Sequence, residues 1–217
     1  MLEFDLTSVF LVAGLGGAAI SYLLGCFNGA VIVSKYILRN DVRNHGSGNA
    51  GLTNFYRTFG GPLTFLVILT DVLKAVAAIL IVRQLVELTG FDSQAPLDAY
   101  WAGLFCMVGH MFPVMFGFKG GKGILSGGAI SLMIDWRLAL VCWGGFFLLV
   151  ILTKWVSLGS LSTGITFPLM TWILYQNFVL LLLGLVIGFL IIWKHRGNLR
   201  RILKGEESKF SFRRKIS

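Results

Sequence analysis

Charge is what this chain has least of. Of its 217 residues only 13% are Asp, Glu, Lys or Arg, about half of the roughly 25% found in ordinary soluble domains. So little charge does not suit a water-soluble body of this size, and the chain reads as one that belongs in lipid. Proline is scarce, at four, and glycine is abundant, at 27, a composition that excludes collagen-like and disordered chains and suits closely packed membrane helices. Cysteine is limited to Cys26, Cys106 and Cys142. They are odd in number, lie in apolar stretches and show neither CxxC nor Cys/His spacing, so they read as small apolar core residues, with no metal implied. Acidic residues number 10 against 19 basic ones, a net charge of +9. In a lipid-embedded chain that excess points to the side of the membrane the loops occupy, not to nucleic acid.

What is present in quantity is apolar. Hydrophobic residues make up 56% of the chain and the mean hydropathy is +0.79. A spanning helix needs about 20 apolar residues, and candidate spans fall near 8–33, 62–83, 98–117, 122–135, 137–153, 157–174 and 178–194. The expected architecture is all-α, a polytopic membrane bundle of about seven transmembrane helices forming a single domain over 1–217, with a basic tail over about 195–217. The first apolar stretch is too long for a signal-peptide core, follows an acidic start and lacks a convincing cleavage site, so it is expected to stay in the mature protein. The fourth span is the weak one. Residues 124–134 would cover only about 16 Å at helical rise, and a five-helix arrangement with interfacial pieces competes with seven.

Charge bookkeeping favours seven. With the N-terminus outside, the outer segments carry Glu3, Asp5, Glu87, Asp92, Asp98 and Asp135, while the inner ones carry Lys35, Arg39, Arg43, Arg57, Lys119, Lys122, Lys154 and the nine Lys/Arg from Lys194 to Lys215. That places 16 of the 19 basic residues on one side, which by the positive-inside tendency is the cytoplasm, the C-terminus with it. For the Arg213–Arg214–Lys215 cluster, attraction to anionic headgroups is a simpler reading than catalysis.

The first inner loop reads Gly46-Ser47-Gly48-Asn49-Ala50-Gly51-Leu52-Thr53-Asn54-Phe55-Tyr56-Arg57. Glycines let backbone N–H groups approach an anion, and arginine can place two donors on phosphate oxygens, so such a loop suits a phosphate. A flexible turn with no ligand is the plain alternative. The formal G-x-G-x-x-G through Gly46, Gly48 and Gly51 is not a dinucleotide fingerprint, because it lies between membrane spans and not between a strand and a helix. In the second inner loop, Gly117-Phe118-Lys119-Gly120-Gly121-Lys122-Gly123, two cations join a backbone able to curl round an anion, with a helix expected to start at Ile124. It is not a Walker A loop. No glycine sits five positions before Gly121 and Gly123 stands where a magnesium-ligating hydroxyl would be, so ATP is not implied. His110, just before, either orients this loop or is a satisfied core histidine. At the end of the last span come His195, Asn198, Arg201, Gly205 and Glu207. On a continuing helix His195 and Asn198 would share one face, an imidazole for base chemistry or phosphate binding and an amide for a hydroxyl; an interfacial cap is the alternative. Asp71 and Lys74, a helical turn apart in mid-span, either pair structurally or line the site.

Taken together, the three motifs resemble those of the PlsY family, the acyl-phosphate-dependent glycerol-3-phosphate acyltransferases of bacterial membranes. The first loop matches from Gly46 to Arg57. The second pattern is met at Gly109, His110, Pro113 and from Phe118 to Gly123, with Leu125 and Ser126 in the Ala and Thr places; the third is met at His195, Asn198, Arg201, Gly205 and Glu207. Tyr22 to Gly25 and the Asp71/Lys74 spacing also agree, whereas Cys26 to Asn28 depart from the usual Ser-Ile-Pro turn. The resemblance implies transfer of an acyl group from acyl phosphate to the 1-hydroxyl of glycerol 3-phosphate, giving lysophosphatidic acid and phosphate, with no cofactor. The implied partners are glycerol 3-phosphate, a long-chain acyl phosphate and membrane lipid, not nucleic acid, and the chain is expected to be a monomer in the bacterial inner membrane. The expected catalytic residues are His195, Asn198, Ser47 and Arg57. Expected substrate-binding residues are Gly48, Asn49, Asn54, Lys119, Gly120, Gly121, Lys122 and Gly123. No Ser/His/Asp triad is recognisable, which favours direct attack over an acyl-enzyme, and either His195 or the donor's own phosphate takes the hydroxyl proton. The rival from another class is a carrier for an organic phosphate. Against it stand the absence of an internal repeat and the gathering of the informative residues at one face.

Overall fold

The computed structural model describes residues 10–210. Glu3, Asp5 and the Arg213–Lys215 cluster lie outside the described residues. Among the described residues every regular element is helical, as the composition requires, and the chain forms two compact units that divide between Ile134 and Asp135.

In the first unit a π-helical turn, Phe10–Gly16, leads into α1 (Gly17–Cys26); α2 (Gly29–Ile32) runs on into a π-helical stretch, Val33–Ile37. The expected span of 8–33 begins outside the described residues; within them the apolar stretch covers Leu11–Ile37, four residues past the expected end, and it is broken at Phe27. The break has a cause in the sequence: the Asn28 side chain accepts a hydrogen bond from Val31 N at 3.0 Å, restarting the helix as an N-cap. Next come α3 (Leu52–Thr58), α4 (Leu63–Leu88), α5 (Ala95–Met111) and α6 (Ile124–Ile134).

α4 shows how these helices divide lipid from core. Val67, Asp71, Lys74, Ala75, Ala78 and Val82 are buried along one stripe at the spacing of a single helix face, while Phe65, Leu69, Leu73 and Leu80 are exposed and in a bilayer meet acyl chains. α1 packs on α4 and α5. Its contact with α5 is a backbone-to-backbone approach, since a Cβ at Gly25 would overlap the Cys106 carbonyl and one at Gly109 the Tyr22 carbonyl, the small-residue packing of membrane helices. α3 is held by Phe55, which is fully buried with Ala30, Val33, Val42 and Val67. Truncating such a phenylalanine to alanine costs about 3–5 kcal/mol, so the short helix that carries Arg57 is firmly anchored.

The second unit holds α7 (Trp136–Thr153), α8 (Val156–Tyr175), α9 (Phe178–Lys194) and α10 (Arg196–Leu203), with α8 packed on both α7 and α9. Caps punctuate it. Asp135 accepts from Arg137 N at 2.7 Å at the start of α7, and Asn177 accepts from Val179 N and Leu180 N at 2.9 and 3.1 Å at the start of α9, each satisfying donors a helix start leaves open. The hydrogen bond from the Arg137 side chain, against a small cost of desolvation, holds the Asp135 carboxyl down at about 2.

Each of the seven expected segments contains a helix, and among the described residues four helices are long and apolar enough to cross a membrane, or five if the bent pair α9 and α10 counts as one span. The eleven residues of α6 rise about 16 Å, short of a hydrocarbon core of about 30 Å.

Candidate active site

The first glycine-rich loop is folded around Asn54. This side chain is 4% exposed: its oxygen accepts from Ser47 N at 3.0 Å, and its amide donates to the carbonyls of Val42, His45 and Asn49 at 3.0–3.1 Å. Gly46 and Gly48 take positive φ values of 56° and 68°, where a Cβ is unfavourable. Asn54 thus acts as the loop's internal core, while Ser47 and Gly48 are exposed, Asn49 is half-buried and Arg57 is exposed on α3. Buried amides of this kind are costly to remove, because about four hydrogen-bonding groups would lose their partner together.

The second loop turns back against the helix it leaves. Gly121 N donates to the His110 carbonyl at 3.1 Å. A Cβ on Gly120 would overlap that carbonyl, and one on Gly121 would overlap the His110 ring and lie 2.6 Å from the Ala50 carbonyl. Only glycine fits at these two positions. Lys119 stands exposed, Lys122 is half-buried and Gly123 is buried, with φ 78°, just ahead of the expected helix start at Ile124. The two loops are joined by Arg43: its guanidinium donates to the Phe116 carbonyl at 2.8 Å and that of Lys119 at 3.4 Å while it is held bidentately by Asp41 at 2.7 and 3.0 Å. The same hydrogen bonds, outweighing partial burial, hold the Asp41 carboxyl below its ordinary range.

In the second unit the third motif forms a clamp on Glu207. Its carboxylate accepts from Ser157 Oγ at 2.7 Å, Asn198 Nδ2 at 2.7 Å and Arg201 Nε at 2.8 Å, and its carbonyl accepts from Trp155 Nε1 at 3.2 Å. Burial pushes this carboxyl up, yet the three hydrogen bonds together hold it below the usual glutamate range. The helix does not continue straight through His195, as a shared His195/Asn198 face would require; α9 and α10 meet there at 55°. His195 is 3% exposed and its Nδ1 lies 2.8 Å from the Ile191 carbonyl. A carbonyl only accepts, so Nδ1 carries the proton, and a neutral ring then keeps its lone pair on Nε2, the form a general base needs.

Comparison with known proteins decides the family. Residues 15–205 match the sequence profile described as Glycerol-3-phosphate acyltransferase. The glycerol-3-phosphate acyltransferase of Thermoanaerobacter pseudethanolicus (strain ATCC 33223 / 39E) is 38% identical over 199 residues, 92% of this chain and 96% of the relative. That of Clostridioides difficile (strain 630) is 40% identical over 195 residues, covering 88% and 93%. This chain belongs to the glycerol-3-phosphate acyltransferase family. The acyltransferase also superposes on the crystal structure of PlsY (YgiH), an integral membrane glycerol 3-phosphate acyltransferase. The TM-score is 0.80 and the identity 34% for its glycerol 3-phosphate form, over 91% of this chain and 95% of that one, and 0.76 and 33% for its lysophosphatidic acid form.

Within the acyltransferase, the structure brings Ser47, Gly48, Asn49 and Asn54 into one folded loop and Lys119 to Gly123 into another. Sequence reasoning missed Arg43, Asn28, Trp155 and Ser157. Asn28 had a signal, as an Asn one residue before Gly-Ala-Val-Ile is a favoured cap. Arg43 had none, because its partners are backbone carbonyls more than seventy positions away.

Proposed function

We propose that this integral membrane acyltransferase moves an acyl group from a long-chain acyl phosphate to the 1-hydroxyl of glycerol 3-phosphate, yielding lysophosphatidic acid and inorganic phosphate. The observation that carries the reading is the pair of glycine-rich loops, bridged by Arg43 and bearing Ser47, Arg57, Lys119 and Lys122, a cationic surface of the kind two phosphorylated substrates need. Arg57, Lys119 and Lys122 bind phosphate oxygens. Ser47 and Asn49 supply hydroxyl and amide groups and Gly120 and Gly123 backbone donors, while Gly48 and Gly121, whose N–H groups are held by the His45 and His110 carbonyls, and Asn54 keep the loops in shape.

In the reaction the 1-hydroxyl oxygen forms a bond to the acyl carbonyl carbon and the bond from that carbon to the phosphate oxygen breaks. The proton leaves the hydroxyl either to His195 Nε2 or to the departing phosphate. The protein contributes orientation of two bound substrates and stabilisation of the developing oxyanion. No cofactor takes part. The tally of basic residues supports a site facing the cytoplasm in the inner membrane and seven crossings, and in this reading the chain works as a monomer.

The test is chemical. Purified protein given acyl phosphate and glycerol 3-phosphate in detergent is expected to release one phosphate per lysophosphatidic acid, and intact-mass measurement with acyl phosphate alone is expected to find the chain unmodified. No lysophosphatidic acid would defeat the reading, and a stoichiometric acyl adduct would replace direct attack with a covalent route.

A further inference from the structure

Ionised groups buried at membrane depth are costly unless they are paired or functional. The acyltransferase keeps three titratable side chains together inside its first unit: Asp71 at 1%, Lys74 at 5% and His110 at 3% exposure. None of them is needed for the transfer chemistry above.

Their geometry is more specific than charge neutralisation demands. Lys74 Nζ has three N–H donors and three acceptors: Asp71 Oδ1 at 2.7 Å, His110 Nδ1 at 2.8 Å and the Phe27 carbonyl at 3.0 Å. The Phe27 carbonyl belongs to the break between α1 and α2, where helical partners run out. Beside it, Asn28 caps α2 through its oxygen while its amide donates to the Ala50 carbonyl of the first glycine-rich loop at 3.0 Å. An ammonium can only donate to Nδ1, so His110 carries its proton on Nε2. That nitrogen lies against the Gly121 backbone of the second loop, whose N–H is in turn bound to the His110 carbonyl. Ser126, early in α6, donates to the Asp71 carbonyl at 3.0 Å. The cluster therefore touches the break that holds the first loop, the backbone that holds the second and the helix that follows it.

We propose that Asp71, Lys74 and His110 form a buried positioning unit that sets both glycine-rich loops for substrate phosphates. Lys74 acts on the first loop through Phe27 and Asn28, and His110 acts on the second through Gly121. The proposal rests on the reading of those loops as the phosphate sites.

Two variants test it. The double substitution Asp71→Leu/Lys74→Met removes both charges together, so a unit serving only to neutralise charge would be replaced without loss. Asn28→Ser keeps a capping oxygen for α2 but is too short to reach Ala50. In each variant, hydrogen–deuterium exchange is followed over residues 46–57 and 117–123, beside kcat and KM for glycerol 3-phosphate and the thermal transition in detergent.

The double variant is expected to unfold cooperatively, with both loops exchanging ~10-fold faster and kcat/KM lowered ~100-fold. For Asn28→Ser the faster exchange is expected in 46–57, with a raised KM. A double variant with wild-type kcat/KM and wild-type exchange in both loops would overturn the proposal. If that variant does not fold, Asn28→Ser decides, and wild-type exchange and KM there would overturn it equally. The exchange readout needs no substrate, so a wild-type protein that fails to turn over acyl phosphate would defeat the proposed reaction while leaving the positioning unit to be judged on exchange alone.

Discussion

Gly121→Ala adds a single methyl group, and the structure says where it goes. The new Cβ would overlap the His110 ring and sit 2.6 Å from the Ala50 carbonyl. Neither neighbour yields easily: the ring is held by Lys74 at 2.8 Å, and Ala50 is a buried backbone position held by Asn28. The loop must move instead, by about the 1 Å that separates an impossible contact from a van der Waals one. Overpacking of this kind costs about 1–3 kcal/mol, well within what a stable membrane bundle survives, whereas a displacement of about 1 Å in a substrate-positioning element costs about 100-fold in rate. The variant is therefore expected to purify as a monodisperse protein with a modestly lowered thermal transition, and to show kcat/KM for glycerol 3-phosphate reduced about 100-fold, roughly 2.7 kcal/mol of transition-state stabilisation. Steady-state phosphate release at varied glycerol 3-phosphate measures it. A variant with wild-type kcat/KM would refute the claim that the placement of this loop matters to the chemistry.

Other perturbations follow from the same geometry. Arg57→Ala and Lys122→Ala are each expected to remove most activity, by 100-fold or about that for a lost charge-assisted phosphate contact, with the protein still folded in the membrane; wild-type rates in either would remove these residues from the site. Arg43→Ala deletes the bonds to the Phe116 and Lys119 carbonyls and is expected to raise KM about 10-fold through loosened loops, read in the same assay. Glu207→Gln is expected to destabilise the second unit by about 1–3 kcal/mol through impaired hydrogen bonding to Ser157, Asn198 and Arg201. Because the folded carboxyl sits below its ordinary range, its contribution is present above the unfolded glutamate pKa and is lost as pH falls through the folded value. Thermal unfolding followed from about pH 6 down to about pH 3 should accordingly show a shallower acid loss in Glu207→Gln than in wild type, and identical slopes would contradict the clamp.

The helical segments were legible in the sequence because apolar length is a one-dimensional signal: each expected span contains a helix, and Asp135 and Asn177 cap where a turn-forming polar residue interrupts an apolar run. The break at Phe27 was only partly legible: Asn28 before Gly-Ala-Val-Ile carries a cap signal, whereas Lys74, which donates to the Phe27 carbonyl from nearly fifty residues away, leaves no local mark. The loops were legible as compositions, Gly with Lys, Arg, Ser and Asn, but their internal division of labour was not. Asn54 reads as a ligand in sequence and serves in the structure as the loop's hydrogen-bonded core, while Arg43, outside the motif, ties one loop to the other. The third motif divides likewise, Glu207 gathering Asn198 and Arg201 while His195 sits at a 55° bend that a periodic pattern does not announce. In each case the deciding partners are backbone carbonyls or distant side chains, which leave no local mark on composition or spacing.

The central claim is the identity of the acyl donor, and one experiment addresses it directly. Purified protein in detergent is incubated with glycerol 3-phosphate and either a long-chain acyl phosphate or the matching acyl-CoA, and lysophosphatidic acid is quantified by mass spectrometry beside released phosphate. The account predicts lysophosphatidic acid and equimolar phosphate from acyl phosphate, and none from acyl-CoA; product from acyl-CoA alone would contradict it.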